Sequence, residues 1–371
     1  MKRVIILGCT GSIGSTALEA IRTKHLQLQV VGLSAHTNAP HLIALAHEFS
    51  AKAICLTSAS LEEVPSLKTY SYFSGLEQML HSLEADIVLN AIAGFDGLKA
   101  SLVSLECGFN LALANKESVV CAGSYLFEVA KKRGSSIIPV DSEHSAIAEL
   151  LKGHDRQQVH SLIITASGGP FRTLNAAHFA DITVEQALAH PTWNMGKKIS
   201  IDSATLANKA LEVIEASYLF GFDPDHIEVV VHPQSIVHSM IRTRDGAVYA
   251  QLGNPDMTLP IVNALCEGSP SLVKPMDFTN LSLTFEQPDF KRFPLLALSF
   301  EILRRKGSNP LAFNAADEVA VQAFLAHKIS YPKLIEVVMR TLDRRWDEEV
   351  DSFSQILALD AKARMLARSL L

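Results

Sequence analysis

The chain has 371 residues, 33 basic and 39 acidic side chains, a formal net charge of −6, and 48% apolar against 19% charged content. This balance excludes bulk electrostatic attraction to nucleic acid or to an anionic membrane, and the length suits about two or three globular domains with sizeable cores. The five cysteines (Cys9, Cys55, Cys107, Cys121, Cys266) are widely spaced without a CxxC pair, no apolar run reaches transmembrane length, and no leader peptide is expected, so the reading is a cytoplasmic protein with reduced thiols.

From residue 1 to about 140, strand-like runs alternate with helical patterns. The runs are Val4–Leu7, Leu28–Leu33, Ala53–Thr57, Asp86–Asn90, Leu111–Ala114 and Ile137–Val140; helical stretches include Ser12–Ile21, Ala39–Phe49 and Lys116–Arg133. Such alternation predicts a parallel, doubly wound sheet of Rossmann type. The first run leads directly into GCTGSIG, with Gly8, Gly11 and Gly14 spaced as G-x-x-G-x-x-G. Glycines there let the turn close and let backbone amides approach a pyrophosphate at a helix N-terminus. An ordinary strand–helix turn is the alternative. NAD binders usually place a carboxylate after the second strand, but this chain has Ser34-Ala35-His36-Thr37-Asn38. Hydroxyl, imidazole and amide groups suit a 2′-phosphate, so NADPH is the favoured nicotinamide.

Between 141 and 266 the rhythm changes to that of an α+β domain, with strand-like runs Ser161–Thr165, Glu228–His232, Ser235–Arg242 and Ala247–Leu252. Asp141 and Glu143 follow Ile137–Val140. If they continue that strand, both carboxylates project to one face and repel each other unless a cation lies between them. A helix is expected near 204–219, with Ala207, Ala210, Leu211 and Ile214 as its apolar stripe and Asn208, Lys209 and Glu212 on the opposite side. Asp141, Glu143 and Glu212 then form a set of hard oxygen ligands, with no histidine pair or thiolate, suited to Mg²⁺ or Mn²⁺. Taken singly, a surface acidic pair and a solvated helix face are the commoner explanations.

Ser167-Gly168-Gly169-Pro170 follows a strand-like run, and its amides and hydroxyl make a candidate anion turn; a plain strand-ending turn is the alternative. Ser203, Asn208 and Lys209 add donors of the kind a phosphate monoester needs. In His190–Lys198, Pro191 and Gly196 bracket Trp193 and Met195 without helical or strand period. A loop of this make-up could close over a ligand, although a tryptophan is as often a core residue. Residues 267–292, with Pro270, Pro275 and Pro288, read as an extended connection. Residues 293–371 show only helical patterns and predict a small bundle.

Several of these segments stand together as motifs: GCTGSIG (8–14), LANKES (113–118), PVDSEHSAI (139–147), ASGGPF (166–171), HPTWNMGKK (190–198), the run Ser203–Glu212, VHPQSIVHSM (231–240) and QLGNPDM (251–257). In that order the chain resembles the 1-deoxy-D-xylulose 5-phosphate reductoisomerase family of the non-mevalonate isoprenoid pathway, along essentially its whole length. The resemblance implies metal ligands at Asp141, Glu143 and Glu212, and phosphate contacts at Ser167, Ser203, Asn208 and Lys209. His190 is implied near the substrate, and Ser142 and Lys116 at its hydroxyl or carbonyl end. Lys116, Glu143 and His190 are the implied catalytic groups, and Trp193 falls in the family's flap. NADPH contacts are implied at Thr10, Gly11, Ser12, Ile13, His36, Asn38, Asn115, Glu117 and Gly196, with Pro255 and Met257 lining the nicotinamide pocket.

Some positions depart from the family pattern. Ala207 and Ala210 stand where methionine and glycine are common, Asp317 stands for an asparagine (NAADE for NAANE), and His36-Thr37 differs from the glycine-plus-basic or glycine-rich versions. The implied activity is conversion of 1-deoxy-D-xylulose 5-phosphate and NADPH to 2-C-methyl-D-erythritol 4-phosphate and NADP⁺, by a homodimer whose site lies between domains. Two alternatives share the glycine turn: another two-domain NADPH oxidoreductase, and a non-enzymatic NADPH-binding sensor. Neither needs the distant carboxylate set.

Overall fold

Short aliphatic and β-branched runs form the strands, and the amphipathic stretches between them form the helices. The computed structural model describes residues 1–193, 195–266 and 276–371. Its first part alternates β1 (Lys2–Leu7), α1 (Ser12–Thr23), β2 (Leu28–Ala35), α2 (Ala39–Glu48), β3 (Ala53–Leu56), β4 (Lys68–Ser71), α3 (Tyr72–Ser82), β5 (Ile87–Asn90), α4 (Asp96–Glu106), β6 (Asn110–Leu113), α5 (Lys116–Arg133), β7 (Ile137–Pro139) and α6 (Ser142–Lys152). The seven strands run parallel in the order β4-β3-β2-β1-β5-β6-β7. The winding reverses between β1 and β5, and in such sheets ligands settle at the carboxyl ends of the strands beside that reversal. The α/β class and the doubly wound sheet are therefore as the sequence predicts. Strand β4 was not among the predicted runs: KTYS sits at the sheet edge, is nowhere fully buried, and needs no apolar run.

The remainder comprises β8 (Val159–Ala166), α7 (Val184–Leu188), α8 (Lys197–Thr205), α9 (Ala207–Phe220), β9 (Ile227–Val231), β10 (Val237–Thr243), β11 (Val248–Leu252), α10 (Thr258–Leu265), α11 (Pro294–Arg305), α12 (Asn309–Leu325), α13 (Tyr331–Leu342) and α14 (Phe353–Ser369). A four-stranded sheet has the order β11-β10-β8-β9, with β8 and β9 parallel and the other pairs antiparallel. The helix expected over 204–219 is two helices, because Leu206 sits in the left-handed region (φ 58°) and ends α8 as it starts α9. A leucine there costs about 1–2 kcal/mol of backbone energy. Its side chain is buried in the core, which offsets that cost.

Two compact units divide the chain. One gathers Met1–Ser118, Leu126–Ser145 and the described part of Asp256–Pro275; the other gathers Val119–Tyr125, Ala146–Pro255 and Met276–Leu371. This differs from a split in chain order at 266. Helix α10 packs on α1 in the first unit, because Ile261, Val262, Ala264 and Leu265 are an apolar face that the core under β1 and β2 accepts. The C-terminal helices α11–α14 pack on one another as the expected helical bundle, and they also join the core of the second unit. Phe313, Tyr331 and Trp346 share one core with Ile164, Ile201 and Leu211, and the Tyr331 hydroxyl donates to the Ala204 carbonyl at 2.8 Å. Truncating either Trp346 or Tyr331 to alanine should cost about 3–5 kcal/mol.

Of the expected connection 267–292, residues 267–275, including Pro270 and Pro275, lie outside the described residues. The rest is tied down: Val231 and Glu286 exchange backbone hydrogen bonds at 2.9 and 2.8 Å, and Arg172 Nη1 lies 2.7 Å from Glu286 Oε1. The segment thus covers part of edge strand β9.

Candidate active site

In the first unit, the glycine turn sits where β1 meets α1. Gly8 has φ 77°, and a Cβ there would lie 2.7 Å from the Ala91 carbonyl oxygen; at Gly14 it would lie 2.6 Å from Cys9 Cα. Only glycine lets the turn pass the loop after β5 and lets α1 press against it. The Ser34 hydroxyl accepts from Gly8 N–H at 3.2 Å and fixes the entry. Gly11 caps α1 with no side-chain bond to the first-turn amides, the arrangement that suits a phosphate. Thr10, Gly11, Ser12 and Ile13 all lie in this turn, partly or fully exposed.

His36, Thr37 and Asn38 follow β2 on the surface. His36 Nδ1 lies 3.0 Å from the Thr57 hydroxyl, and Asn38 Oδ1 accepts from His41 N–H at 3.1 Å as the cap of α2. That leaves the Asn38 amide NH₂ as the end able to meet an anion. Asn115 is used differently. It is 1% exposed, its Oδ1 accepts from Ser118 N–H at 3.0 Å and from the Ser118 hydroxyl, and its Nδ2 donates to Gly94 O at 2.8 Å and Glu117 Oε2 at 3.0 Å. An amide has two donors and two acceptor positions. All four are engaged, so only the backbone of Asn115 is left to meet a ligand, while its side chain fixes the turn after β6. Met257 stands half-buried at the start of α10.

Beyond β7 the carboxylates are arranged otherwise than strand alternation predicts. The strand ends at Pro139, and the Asp141 carbonyl accepts from Ser145 N–H at 2.8 Å, so the chain turns into α6 with Glu143 in its first turn. Asp141 favours this turn because its carboxylate also accepts its neighbour's amide, Ser142 N–H, at 3.1 Å. Lys116, from the start of α5, forms an ion pair with Asp141, the two side chains being 8% and 16% exposed. The Ser142 hydroxyl donates to Glu143 Oε2 at 2.6 Å, and His144 Nδ1 stands 3.9 Å from Asp141 Oδ2. His144, fully buried, was not among the predicted site residues; its place three residues after Asp141 was the available signal.

In the second unit, β8 ends in the turn Ser167-Gly168-Gly169, with φ 85° and 66° at the glycines. A Cβ on Gly169 would lie 2.5 Å from the Ser203 carbonyl oxygen, so glycine here brings the turn against α8. His190 holds it from the other side. Its Nδ1 accepts from Trp193 N–H at 2.9 Å and Thr192 N–H at 3.2 Å, which makes Nε2 the protonated nitrogen, donating to Ser167 Oγ at 3.0 Å. Burial lowers the His190 pKa and keeps the ring neutral. Ser167 Oγ also accepts from Gly169 N–H at 3.3 Å, so its own proton is left to donate to a ligand. Trp193 is half-buried, its ring centroid 6.5 Å from that of His238, and Gly196 is exposed at the cap of α8. Asn194 of the same segment lies outside the described residues.

Helix α9 is not a solvated face. Lys209 is 4% and Glu212 1% exposed, although they lie opposite the apolar stripe. Asn208 Nδ2 donates to Glu212 Oε1 at 2.5 Å, and the Lys209 ammonium pairs with Glu212 Oε2. Burying a carboxylate costs several kcal/mol, which an ammonium and an amide at contact distance offset. Asn208 and Lys209, expected as phosphate donors, are therefore directed at the expected metal ligand. The donor set of Asp141, Glu143 and Glu212, all carboxylate oxygens, fits a hard divalent ion. Asp202, buried beside Lys198, had no role in the sequence reading, and Asp317, buried on the other side of that lysine, entered it only as a departure from an asparagine.

Family models match residues 4–123 (1-deoxy-D-xylulose 5-phosphate reductoisomerase), 137–220 (its C-terminal domain) and 252–366 (DXP reductoisomerase C-terminal domain). The 1-deoxy-D-xylulose 5-phosphate reductoisomerase of Treponema pallidum is 46% identical over 100% of this chain and 97% of its own length. That of Bacteroides fragilis is 43% identical over 100% and 98%. Among solved structures, the Zymomonas mobilis reductoisomerase in complex with NADPH superposes with a TM-score of 0.92 at 39% identity, covering 100% of this chain and 98% of that one. A DOX-P reductoisomerase with NADPH, fosmidomycin and magnesium gives 0.91 at 36% identity, again over 100% and 98%.

Proposed function

The chain belongs to the 1-deoxy-D-xylulose 5-phosphate reductoisomerase family, and from that premise we infer that it rearranges and reduces 1-deoxy-D-xylulose 5-phosphate to 2-C-methyl-D-erythritol 4-phosphate, using NADPH and a divalent ion. The observation that carries this reading is the burial of Glu212 and Lys209 on α9. Burying both charged groups is costly in folding, and a site for a metal and an anionic sugar is the use that best accounts for it here.

In this reading Asp141, Glu143 and Glu212 hold one Mg²⁺ or Mn²⁺. When bound, that ion supplies Lewis acidity toward the substrate's carbonyl and neighbouring hydroxyl oxygens. NADPH supplies the hydride, with Thr10, Gly11, Ser12 and Ile13 at its pyrophosphate, His36 and Asn38 toward the 2′-phosphate, and Asn115, Glu117, Gly196 and Met257 around the rest. The residues do the remainder. Ser167, through its available hydroxyl proton, and Ser203 grip the phosphate, with Asn208 and Lys209 divided between that phosphate and Glu212. Neutral His190 sets the Ser167 hydroxyl and adds no charge of its own. Lys116 places an ammonium where oxyanion charge develops, and Ser142 orients a substrate hydroxyl. Trp193 closes over the sugar, so that binding energy from the phosphate end orders the reacting end and excludes water.

The test is NADPH oxidation with deoxyxylulose phosphate, with and without Mg²⁺ or Mn²⁺. Oxidation should need both the sugar phosphate and the ion. Metal-independent oxidation would point to another two-domain oxidoreductase, and NADPH binding without turnover to a sensor. Homodimerisation and cytoplasmic residence belong to the same proposal. The first is supported by edge strand β11, with Val248 49% and Tyr249 43% exposed, and is read by light scattering; the second by five cysteines that are all thiols.

A further inference from the structure

Three side chains in the second unit form a charge-imbalanced cluster that the reaction does not use. Lys198, in the first turn of α8, places Nζ 2.6 Å from Asp202 Oδ2 and 3.3 Å from Asp317 Oδ2 on α12. Asp202 is 2% and Asp317 0% exposed, so two carboxyls share one ammonium away from water. If both were ionised, the cluster would carry a buried net negative charge.

Among the described residues, the charged groups of the surrounding elements do not offset this imbalance. On α12 itself Glu318 adds to the repulsion at Asp317, and its own partner is Arg364 of α14 at 2.6 Å, which also holds Asp360. Helix α9 brings Lys209, Glu212 and Glu215, of which Lys209 and Glu212 pair with each other. Glu185 on α7 is exposed, and Lys333, Glu336 and Arg340 on α13 pair among themselves at the surface. Burial, then Asp317, pushes the Asp202 carboxyl up to about 8, and burial raises Asp317 as well. The two carboxyls titrate as a coupled pair, and burial together with their mutual repulsion favours one proton shared between them.

The cluster lies next to a phosphate donor. Asp202 precedes Ser203, and Gly169 of the anion turn packs on the Ser203 carbonyl. We propose that Asp202, Asp317 and Lys198 are positioning residues that seat the Ser203 end of α8 by clamping it to α12, and that the clamp holds only while the two carboxyls share a proton. This rests on Ser203 as a phosphate contact. Loss of the proton ionises the second carboxyl, so two buried carboxylates face each other over a single ammonium and their repulsion loosens α8 from α12. Grip on the sugar phosphate then weakens in alkali, while the reacting end is untouched.

The experiment compares wild type with Asp317→Asn, which removes the excess acid and keeps an oxygen for Lys198. KM and kcat for deoxyxylulose phosphate are measured from pH 6.5 to 9.5 at saturating NADPH and Mg²⁺. Substrate and metal ionisation act equally on both enzymes, so the informative quantity is the ratio of wild-type to variant KM. It should rise by up to about tenfold per pH unit above the pair's pKa, with the kcat ratio flat. Asp202→Asn should flatten the KM profile in the same way, and serves if Asp317→Asn misfolds. A constant KM ratio in both variants, or a change confined to kcat, overturns the proposal. Ser203→Ala separates the two levels. If it raises KM while the profiles stay parallel, the clamp alone is wrong; if it leaves KM unchanged, the phosphate assignment fails and the clamp with it.

Discussion

The glycine turn after β1 and the paired helices α8 and α9 are both assigned to anionic ligands, and they are built by opposite means. The turn offers backbone amides, exposed by three glycines whose missing Cβ atoms make room, and it needs no buried charge. The α8–α9 segment offers side chains, many of them buried or half-buried and bound to one another: Lys209 and Asn208 to Glu212, Lys198 to Asp202 and Asp317. A backbone site is insensitive to pH and fails when bulk is added. A side-chain site fails when one charge is removed, because its partner is left buried and uncompensated.

The sharpest way to break this contrast is Glu212→Gln. Turnover should fall by about a thousandfold or more, since the proposed ion loses a ligand, while cooperative unfolding persists. Near-normal kcat at ordinary metal levels would remove Glu212 from the site. Bulk should matter more at the glycines. Gly14→Ala is expected to raise the NADPH Kd by about a hundredfold, as the added methyl meets Cys9 backbone, without altering affinity for the sugar phosphate. Gly169→Ala should do the reverse, raising KM for the sugar at unchanged NADPH affinity. If either variant altered both affinities equally, the two sites would not be separable.

Trp193→Ala should act more gently. A half-buried flap residue leaves the melting temperature within a few degrees (about 1 kcal/mol or less) while KM rises. A collapse of thermal stability would make Trp193 a core residue. The smallest effect is on stability against pH. Asp202 and Asp317 have folded pKa values raised above their ordinary one of 3.8, so the folded state holds the extra proton. Their contribution is most favourable below the ordinary carboxyl value and is lost as pH rises through the raised folded values. Asp317→Asn should therefore unfold later than wild type at pH 8.5, and the gap should shrink toward pH 5.

These two regions also differ in how far they can be read from sequence. The glycine turn follows from covalent order: three spaced glycines between an aliphatic run and a helical pattern leave few other conformations. The α8–α9 segment showed its chemistry but not its geometry. Nothing in Leu206 signals a left-handed residue, so one helix was expected where two stand. Helical periodicity set Asn208, Lys209 and Glu212 on a common side, but it reports a face, and whether that face meets water depends on distant segments. Lys198 and Asp317 are 119 residues apart, and no local pattern joins them. The same holds for α10, which was not among the expected helices and whose partner α1 lies far away along the chain. Asp141 and Glu143 were identified as a pair, yet the strand ended at Pro139 because aspartate and serine favour the turn into α6.

The central claim is that Asp141, Glu143 and Glu212 act on one divalent ion although they come from distant parts of the chain. Mn²⁺ binding to the NADPH-bound enzyme, followed by electron paramagnetic resonance, tests it most directly in wild type, Asp141→Asn and Glu212→Gln. One tight ion per chain is predicted in wild type, with that ion lost in each single variant and NADPH affinity unchanged throughout. A tight Mn²⁺ that survives in either variant would contradict it.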